Sequence, residues 1–193
     1  MSARRIKKQK PAEMLSPLPG GVQARAEAEV GATSVDRLAW LLRLLNRSQE
    51  IIGDRSEQER VELEAQVVAF AKPFGKASGG RQSRLSWDDV WDLAQSIRSL
   101  ILGMLRGASF EIKVPPLTYV ITGGKPPVYI GHPKGIFRLA VARLIETEQQ
   151  RIKVCARPGC GKLFVRRKRG LYCSRQCSLL EYFKRYVARH STD

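Results

Sequence analysis

Long apolar runs are absent from this sequence. No segment of its 193 residues approaches the roughly eighteen uninterrupted apolar residues of a membrane-spanning helix, and no apolar stretch follows the basic first ten residues, as it would in a signal peptide. We therefore expect no membrane association and a cytoplasmic location. The hydrophobic content of 43% is nevertheless sufficient for a folded core.

Cysteine is scarce as well, and its four copies all lie between positions 155 and 177. The spacing is Cys155-x4-Cys160, twelve residues, then Cys173-x3-Cys177, which is the usual way of building one tetrahedral zinc site. Two disulfides would require an oxidising compartment, and a catalytic zinc would require an open coordination position that four thiolates do not leave. We therefore expect these four cysteines to hold one structural zinc ion.

Each cysteine pair has a local structure that its neighbours predict. Glycine and proline in residues 155–161 favour a tight turn, a zinc knuckle. Residues 163–165 and 171–172 are expected to pair as a short hairpin across the turn 166–170. The second cysteine pair lies at i and i+4, which places both sulfurs on one face at the start of a helix that Ser174 is placed to cap. Knuckle, hairpin and helix in this order predict a treble-clef-like finger.

Acidic residues are almost missing from the C-terminal part of the chain. Residues 151–190 contain twelve basic side chains against the single acid Glu181, a net charge of +11, whereas residues 31–150 have a net charge of only +3. Such a concentration of positive charge fits a polyanionic partner, because neutralising phosphates releases counterions. The alternative is a solvated surface that keeps the protein soluble.

The C-terminal helix and the basic turn before it are the candidate nucleic-acid-binding elements. A helix from Ser174 to about His190 would be about 24 Å long, enough to lie in a DNA major groove. On it, the side chains expected to face nucleic acid are Arg175, Gln176, Lys184, Arg185 and Arg189. In the turn, the side chains expected to contact phosphates are Arg166, Arg167, Lys168 and Arg169.

The remaining faces of that helix are predicted to be packed. Four apolar residues recur at three- and four-residue spacing and should lie against the hairpin or the helical body: Leu179, Leu180, Phe183 and Val187. Tyr172, Tyr182 and Tyr186 are able to stack on unpaired bases, although ordinary packing is the simpler use of each.

The region before the finger is predicted to be mainly helical. Residues 1–30 contain prolines, glycines and basic side chains without an apolar period, and we expect a disordered tail. Thr33 or Ser34, Ser56 and Ser86 are each placed to cap a helix, the last two with a capping-box acid three residues later. Residues 76–80 are expected to form a loop. A fourth helix is expected at 134–149, after a hairpin near 117–131. The fold class is therefore α+β, with a disordered tail (1–30), a helical domain with a hairpin (31–150) and a four-cysteine zinc finger (151–193).

The finger resembles the CGNR-type zinc finger. The resemblance runs through Arg151-x-Lys-x-Cys155-x4-Cys160-Gly-x2-Phe164, then Tyr172-Cys-Ser-x2-Cys177, and ends at Arg185-Tyr-x2-Arg189-His190. Bacterial proteins with this finger usually carry a helical N-terminal domain called ABATE, which residues 31–150 resemble in length, order and the segment around Trp40. The resemblance implies a stress-linked transcription regulator that binds DNA. Where the family reads Cys-Gly-Asn-Arg, this chain reads Cys177-Ser-Leu-Leu180, so DNA specificity is not carried over.

These observations predict a zinc-finger protein that binds nucleic acid, with duplex DNA favoured over RNA, and that regulates transcription on the nucleoid. RNA binding and a zinc-stabilised protein-interaction adaptor are the alternatives. No arrangement of nucleophile and base predicts an enzyme. A homodimer is a further possibility. So is a small-molecule ligand of the helical domain, bound in a pocket lined by Trp87, Trp91 or Tyr119.

Overall fold

The computed structural model of the chain describes residues 20–48, 56–77, 87–109, 111–121 and 128–190. These ranges are mainly helical, as predicted, with two small sheets. The helices are α1 (Gly20–Val30), α2 (Ser34–Arg47), α3 (Glu57–Ala71), α4 (Trp87–Leu105), α5 (Pro133–Glu148) and α6 (Arg175–His190). The strands are β1 (Gly75–Ala77), β2 (Thr118–Val120), β3 (Val128–Gly131), β4 (Ile152–Val154) and β5 (Leu163–Val165). None of these helices is long and apolar enough to cross a membrane.

Helix α1 corrects the prediction of a disordered tail. It buries Ala26 and Val30 in the core, and an ion pair between Arg25 and Glu62, at 3.6 Å, links it to α3. Gly31 ends it in a left-handed conformation, with φ of 82°, and donates a hydrogen bond to the carbonyl of Glu27. The buried face has only Ala26 and Val30, with Val22 packed beside the core, which is why the segment shows no strong apolar period. Residues 1–19 lie outside the described residues.

The predicted helix starts are confirmed where the structure describes them. The side chains of Thr33 and Ser56 each accept a hydrogen bond from the backbone N–H three residues on. In turn, the carboxylates of Asp36 and Glu59 accept one from the backbone N–H of the capping residue. These are complete capping boxes, which satisfy backbone donors that have no partner within the helix. Ser86 lies outside the described residues. Helix α5 is confirmed within a residue of its expected limits, with His132 as its cap.

Helices α2 to α5 surround a core centred on Phe70. Its ring lies 5.0 Å from that of Trp40 and 5.3 Å from that of Phe137, measured between centroids. The same cluster contains Ile152 of β4 and Leu163 of β5, which are 0% and 2% exposed. The strands that carry the cysteine segment are therefore packed into the helical core.

The predicted hairpin is confirmed as β2 and β3, which pair antiparallel with Tyr119 opposite Tyr129. Strand β1 then adds to β3 in parallel, with Gly75 opposite Tyr129. A side chain at Gly75 would meet the Tyr129 carbonyl oxygen at 2.6 Å, so the close approach requires glycine. The prediction that 76–80 is a loop is wrong for residues 76–77, and residues 78–80 lie outside the described part.

Candidate metal centre and the basic surface around it

The four cysteines lie together, as their spacing predicts. Their sulfur atoms are all within 4.8 Å of one another. The Sγ atom of Cys160 is 3.8 Å from those of Cys173 and Cys177, and the last two are 3.6 Å apart. All four thiols are free, because a disulfide would bring two sulfurs to about 2.05 Å.

This geometry fits a tetrahedral ion. Metal–sulfur bonds of about 2.3 Å give a tetrahedron with sulfur–sulfur edges of about 3.8 Å. The three edges among Cys160, Cys173 and Cys177, at 3.6 to 3.8 Å, match that value, and the sulfur of Cys155 lies within 4.8 Å of each of them. Four thiolate donors are a soft ligand set, and they close the coordination sphere. The four cysteines are therefore able to hold one structural metal ion.

The first cysteine pair is positioned by the connection between β4 and β5. Cys155 follows β4, and its backbone N–H donates to the carbonyl of Lys162 at 2.9 Å, which extends the strand pairing into the knuckle. Gly159 and Gly161 adopt left-handed conformations on either side of Cys160, with φ of 75° and 60°. This backbone turns the chain so that both sulfurs face the same point.

The second pair is positioned by the start of α6. Ser174 caps this helix by accepting a hydrogen bond from the backbone N–H of Cys177, as predicted. The side-chain hydrogen bond of Ser174 lowers the pKa of the Cys177 thiol to about 7, whereas burial raises the pKa of Cys173 to about 12. The Cys173 backbone N–H also donates to the sulfur of Cys155, at 3.5 Å. The sulfurs of Cys177 and Cys155 are therefore hydrogen-bonded, by the side chain of Ser174 and by the backbone of Cys173.

The hairpin predicted for this region is wrong. Strand β5 pairs antiparallel with β4, with Val154 opposite Leu163, and the knuckle forms their connection. Residues 171–172 are not a strand, although the carbonyl of Leu171 accepts a hydrogen bond from Ala156 at 3.0 Å. Two segments were available as partners for β5, and closing the knuckle between the first cysteine pair brings β4 beside it.

Two side chains of the helical body, α1 to α5, hold the candidate metal-binding segment, residues 152–177, in place. Sequence reasoning missed both. Asn46 of α2 donates to the carbonyl of Leu163 at 2.8 Å and accepts from its N–H at 2.9 Å. Arg98 of α4 is buried and donates to the carbonyl of Gly161, the residue after Cys160, at 2.8 Å. Burial lowers the pKa of this guanidinium. No sequence signal singles out either residue, because both helices contain several other polar side chains.

The nine predicted nucleic-acid-binding side chains all belong to exposed residues. The turn is braced internally by a hydrogen bond from Arg166 Nε to the Lys168 carbonyl, at 3.1 Å. On α6, Arg185 forms an ion pair with Glu181 at 3.2 Å. Arg167 and Gln176 both line a cleft between α2 and the cysteine segment, and the other seven lie outside it.

This cleft lies between α2 and the metal-binding segment and was not predicted. It has a volume of about 880 Å³ and extends from α2 to three of the cysteines. None of the described residues that line it is acidic, although Arg43 also pairs with Glu29, outside the lining, at 3.3 Å. Its basic side chains come from both sides: Arg43, Arg47, Arg157, Lys162 and Arg167. The pair on α2 is spaced by four residues, but only the tertiary structure shows that it faces the finger.

The packing predicted for α6 is wrong. The side chains expected to be buried are exposed: Leu179 by 44%, Leu180 by 47%, Phe183 by 57% and Val187 by 57%. Only Cys177 of this helix is buried. Helix α6 therefore stands away from the described core with both its basic and its apolar side chains accessible.

The aromatic residues considered for a ligand site in the helical domain are not gathered around a large pocket. Trp91 is buried beside a small cavity of about 130 Å³, and Tyr119 is half exposed and packs against Tyr129 with tilted rings whose centroids are 4.8 Å apart. The side chain of Trp87 lies outside the described residues. Comparison of the chain with protein-family models, with curated proteins and with solved structures gives no match.

Proposed function

We propose that this protein is a zinc-finger protein that binds nucleic acid, with duplex DNA as its first target and regulation of transcription as its role. The observation that carries the proposal is the acid-free cleft beside the metal centre, lined by five basic side chains. Charges of one sign that converge on a concave surface attract a polyanion more strongly than scattered charges do. The phosphate backbone of a nucleic acid is the polyanion that we propose for this cleft.

Zinc is the metal we propose for the four cysteines. Four thiolates at tetrahedral spacing favour zinc over magnesium or calcium, which prefer oxygen ligands. A closed sphere of four thiolates has no position for a reacting water, so the ion stabilises the fold and the protein acts by binding rather than by catalysis. The order of knuckle, strand and capped helix supports a treble-clef-like finger.

Duplex DNA is supported by the length and chemistry of α6. At about 1.5 Å per residue, its sixteen residues span about 24 Å, which fits a major groove. Arg175 and Gln176 are exposed at its start, and their side chains make bidentate contacts with guanine and adenine edges. The resemblance to CGNR-type fingers with an ABATE-like body adds a regulatory role on the nucleoid, without transferring a target sequence.

The experiment is fluorescence anisotropy of the zinc-loaded full chain with random duplex DNA and with single-stranded RNA, over a series of salt concentrations. Zinc content is measured on the same sample by mass spectrometry, and one ion per chain is expected. Duplex binding whose affinity falls steeply with salt supports the proposal. Preference for RNA selects the RNA-binding alternative, and absence of binding at low salt selects the adaptor.

A further inference from the structure

Three aromatic rings form a continuous ladder on the exposed side of α6. The rings of Tyr182 and Tyr186 are stacked with centroids 6.5 Å apart, and those of Tyr186 and His190 with centroids 4.1 Å apart. The three residues follow one another at four-residue spacing, which aligns them along one stripe of the helix. Phe183 meets the edge of the Tyr182 ring at 5.8 Å and widens the aromatic surface.

The ladder is accessible, unlike the aromatic residues of the core. Tyr182 and Tyr186 are 62% and 50% exposed, whereas Phe70 is fully buried. A stripe of large exposed rings on a helix is uncommon in a soluble protein and indicates a binding surface. The rings are already ordered by their mutual stacking, so little conformational entropy is lost when another flat group stacks on them.

The charge of α6 indicates what kind of flat group this is. The helix contains four Arg and Lys residues and one acid, Glu181, which pairs with Arg185. A second copy of the chain would place the same positive charges opposite these, so α6 is poorly suited to pairing with itself. A single-stranded nucleic acid offers base faces to the rings and phosphates to the basic side chains at the same time.

We infer that α6 binds unpaired nucleotides of a single-stranded nucleic acid, whose bases stack on the ladder formed by Tyr182, Tyr186 and His190. The inference rests on the proposed function and adds a second nucleic-acid ligand for this helix: Arg175 and Gln176 at its start are proposed to contact duplex DNA, whereas the ladder in its C-terminal half takes unpaired bases. The basic cleft binds the sugar–phosphate backbone, and the ladder makes binding depend on accessible bases.

The test compares Tyr186→Ala with Tyr186→Phe in the zinc-loaded full chain. The ligands are an oligothymidylate, an oligouridylate of the same length, about twenty nucleotides, and a duplex, all labelled for anisotropy. Losing one stacking ring is expected to weaken single-strand binding about tenfold, whereas phenylalanine keeps the ring and the affinity. Leu180→Ala is the matched control, because Leu180 is a similarly exposed apolar residue of α6 outside the ladder.

The outcomes separate the inference from the proposed function. A selective loss for single strands in Tyr186→Ala, with duplex affinity unchanged, supports stacking, and the two oligonucleotides show whether RNA or DNA is preferred. Equal single-strand affinities for Tyr186→Ala and the wild type overturn the inference but leave nucleic-acid binding intact. Equal losses in Tyr186→Ala and Leu180→Ala, with a dimer seen by sedimentation, assign the face to a protein partner and also overturn it. No binding to any of the three ligands defeats the proposed function itself.

Discussion

Asn46 and Leu163 form a pair of hydrogen bonds that joins the helical body to the metal-binding segment. The side-chain amide of Asn46 uses its donor and its acceptor on the backbone of Leu163, at 2.8 and 2.9 Å, as a neighbouring strand would. Leu163 is also part of the common core. The two parts of the protein therefore share both polar and apolar contacts.

We predict that Asn46→Ala lowers the free energy of unfolding by about 2 to 3 kcal/mol, because it leaves a donor and an acceptor of Leu163 unpaired at a partly buried site. Urea unfolding monitored by circular dichroism measures the change. Gln58→Ala serves as the control, since Gln58 makes only an exposed hydrogen bond to Glu62. A change of less than about 0.5 kcal/mol, as for an ordinary surface substitution, would contradict the prediction.

Cys160→Ser and Cys177→Ser are each predicted to abolish tight zinc binding. Most of the helical signal should remain, because α1 to α5 keep their own core, but the melting temperature should fall because Ile152 and Leu163 lose their ordered attachment to the finger. Removing zinc from the wild type with a chelator should lower the melting temperature by a similar amount. A variant that retains one tightly bound zinc would refute the four-ligand site.

Arg98→Met is predicted to weaken zinc binding about tenfold to a hundredfold, by analogy with other supporting residues of metal sites. Its guanidinium holds the carbonyl of Gly161, directly after the ligand Cys160, and it places a positive charge behind a site with an excess of negative thiolates. Competition with a chromophoric chelator measures the affinity. Arg106→Met, an exposed change just beyond the same helix, should leave the affinity unaltered.

Zinc affinity is predicted to fall as the pH is lowered. The thiol of Cys177, with its pKa lowered to about 7, is mainly thiolate above neutral pH and is protonated below it, whereas Cys173 must lose a proton throughout. Zinc therefore displaces more protons below pH 7, and the decline should become steeper there. Chelator competition between pH 6 and pH 8 tests this, and a constant affinity over that range would exclude thiolate ligation.

Arg43→Ala combined with Arg47→Ala is predicted to reduce the salt dependence of nucleic-acid binding. Each phosphate contact contributes about 0.9 to the slope of the logarithm of affinity against the logarithm of salt concentration, so up to about 1.8 should be lost. Arg60→Ala, on the exposed side of α3, is the control. An unchanged slope would place α2 outside the interface and leave the finger alone as the binding surface.

The basic turn, residues 166–169, allows a second measurement of how nucleic-acid affinity depends on salt concentration. Replacing Arg166, Arg167, Lys168 and Arg169 with alanine should weaken binding to all sequences alike, because phosphate contacts carry no sequence information. The slope should fall by up to about 0.9 for each lost contact. Discrimination between two duplexes of different sequence is the internal control, and it should stay the same.

Sequence reasoning succeeded where structure depends on near neighbours. The four cysteines, the caps Thr33, Ser56 and Ser174, and the β2–β3 hairpin were all found from spacing and residue type. Capping is decided within one helical turn, and the cysteine spacing is typical of a single tetrahedral site. The exposure of the nine basic candidates also followed from their charge.

What only the tertiary structure decided was which faces have a partner. Helix α1 packs against α3, β1 pairs with β3 from a distant part of the chain, and β5 pairs with β4 rather than with residues 171–172. Periodicity shows that Leu179, Phe183 and Val187 share a side of α6, but it does not show whether anything lies against that side. The sequence by itself therefore determined the cluster of four cysteines and the helical character. The basic cleft and the exposed aromatic ladder depend on how the elements meet, because burial is a property of two surfaces and not of one.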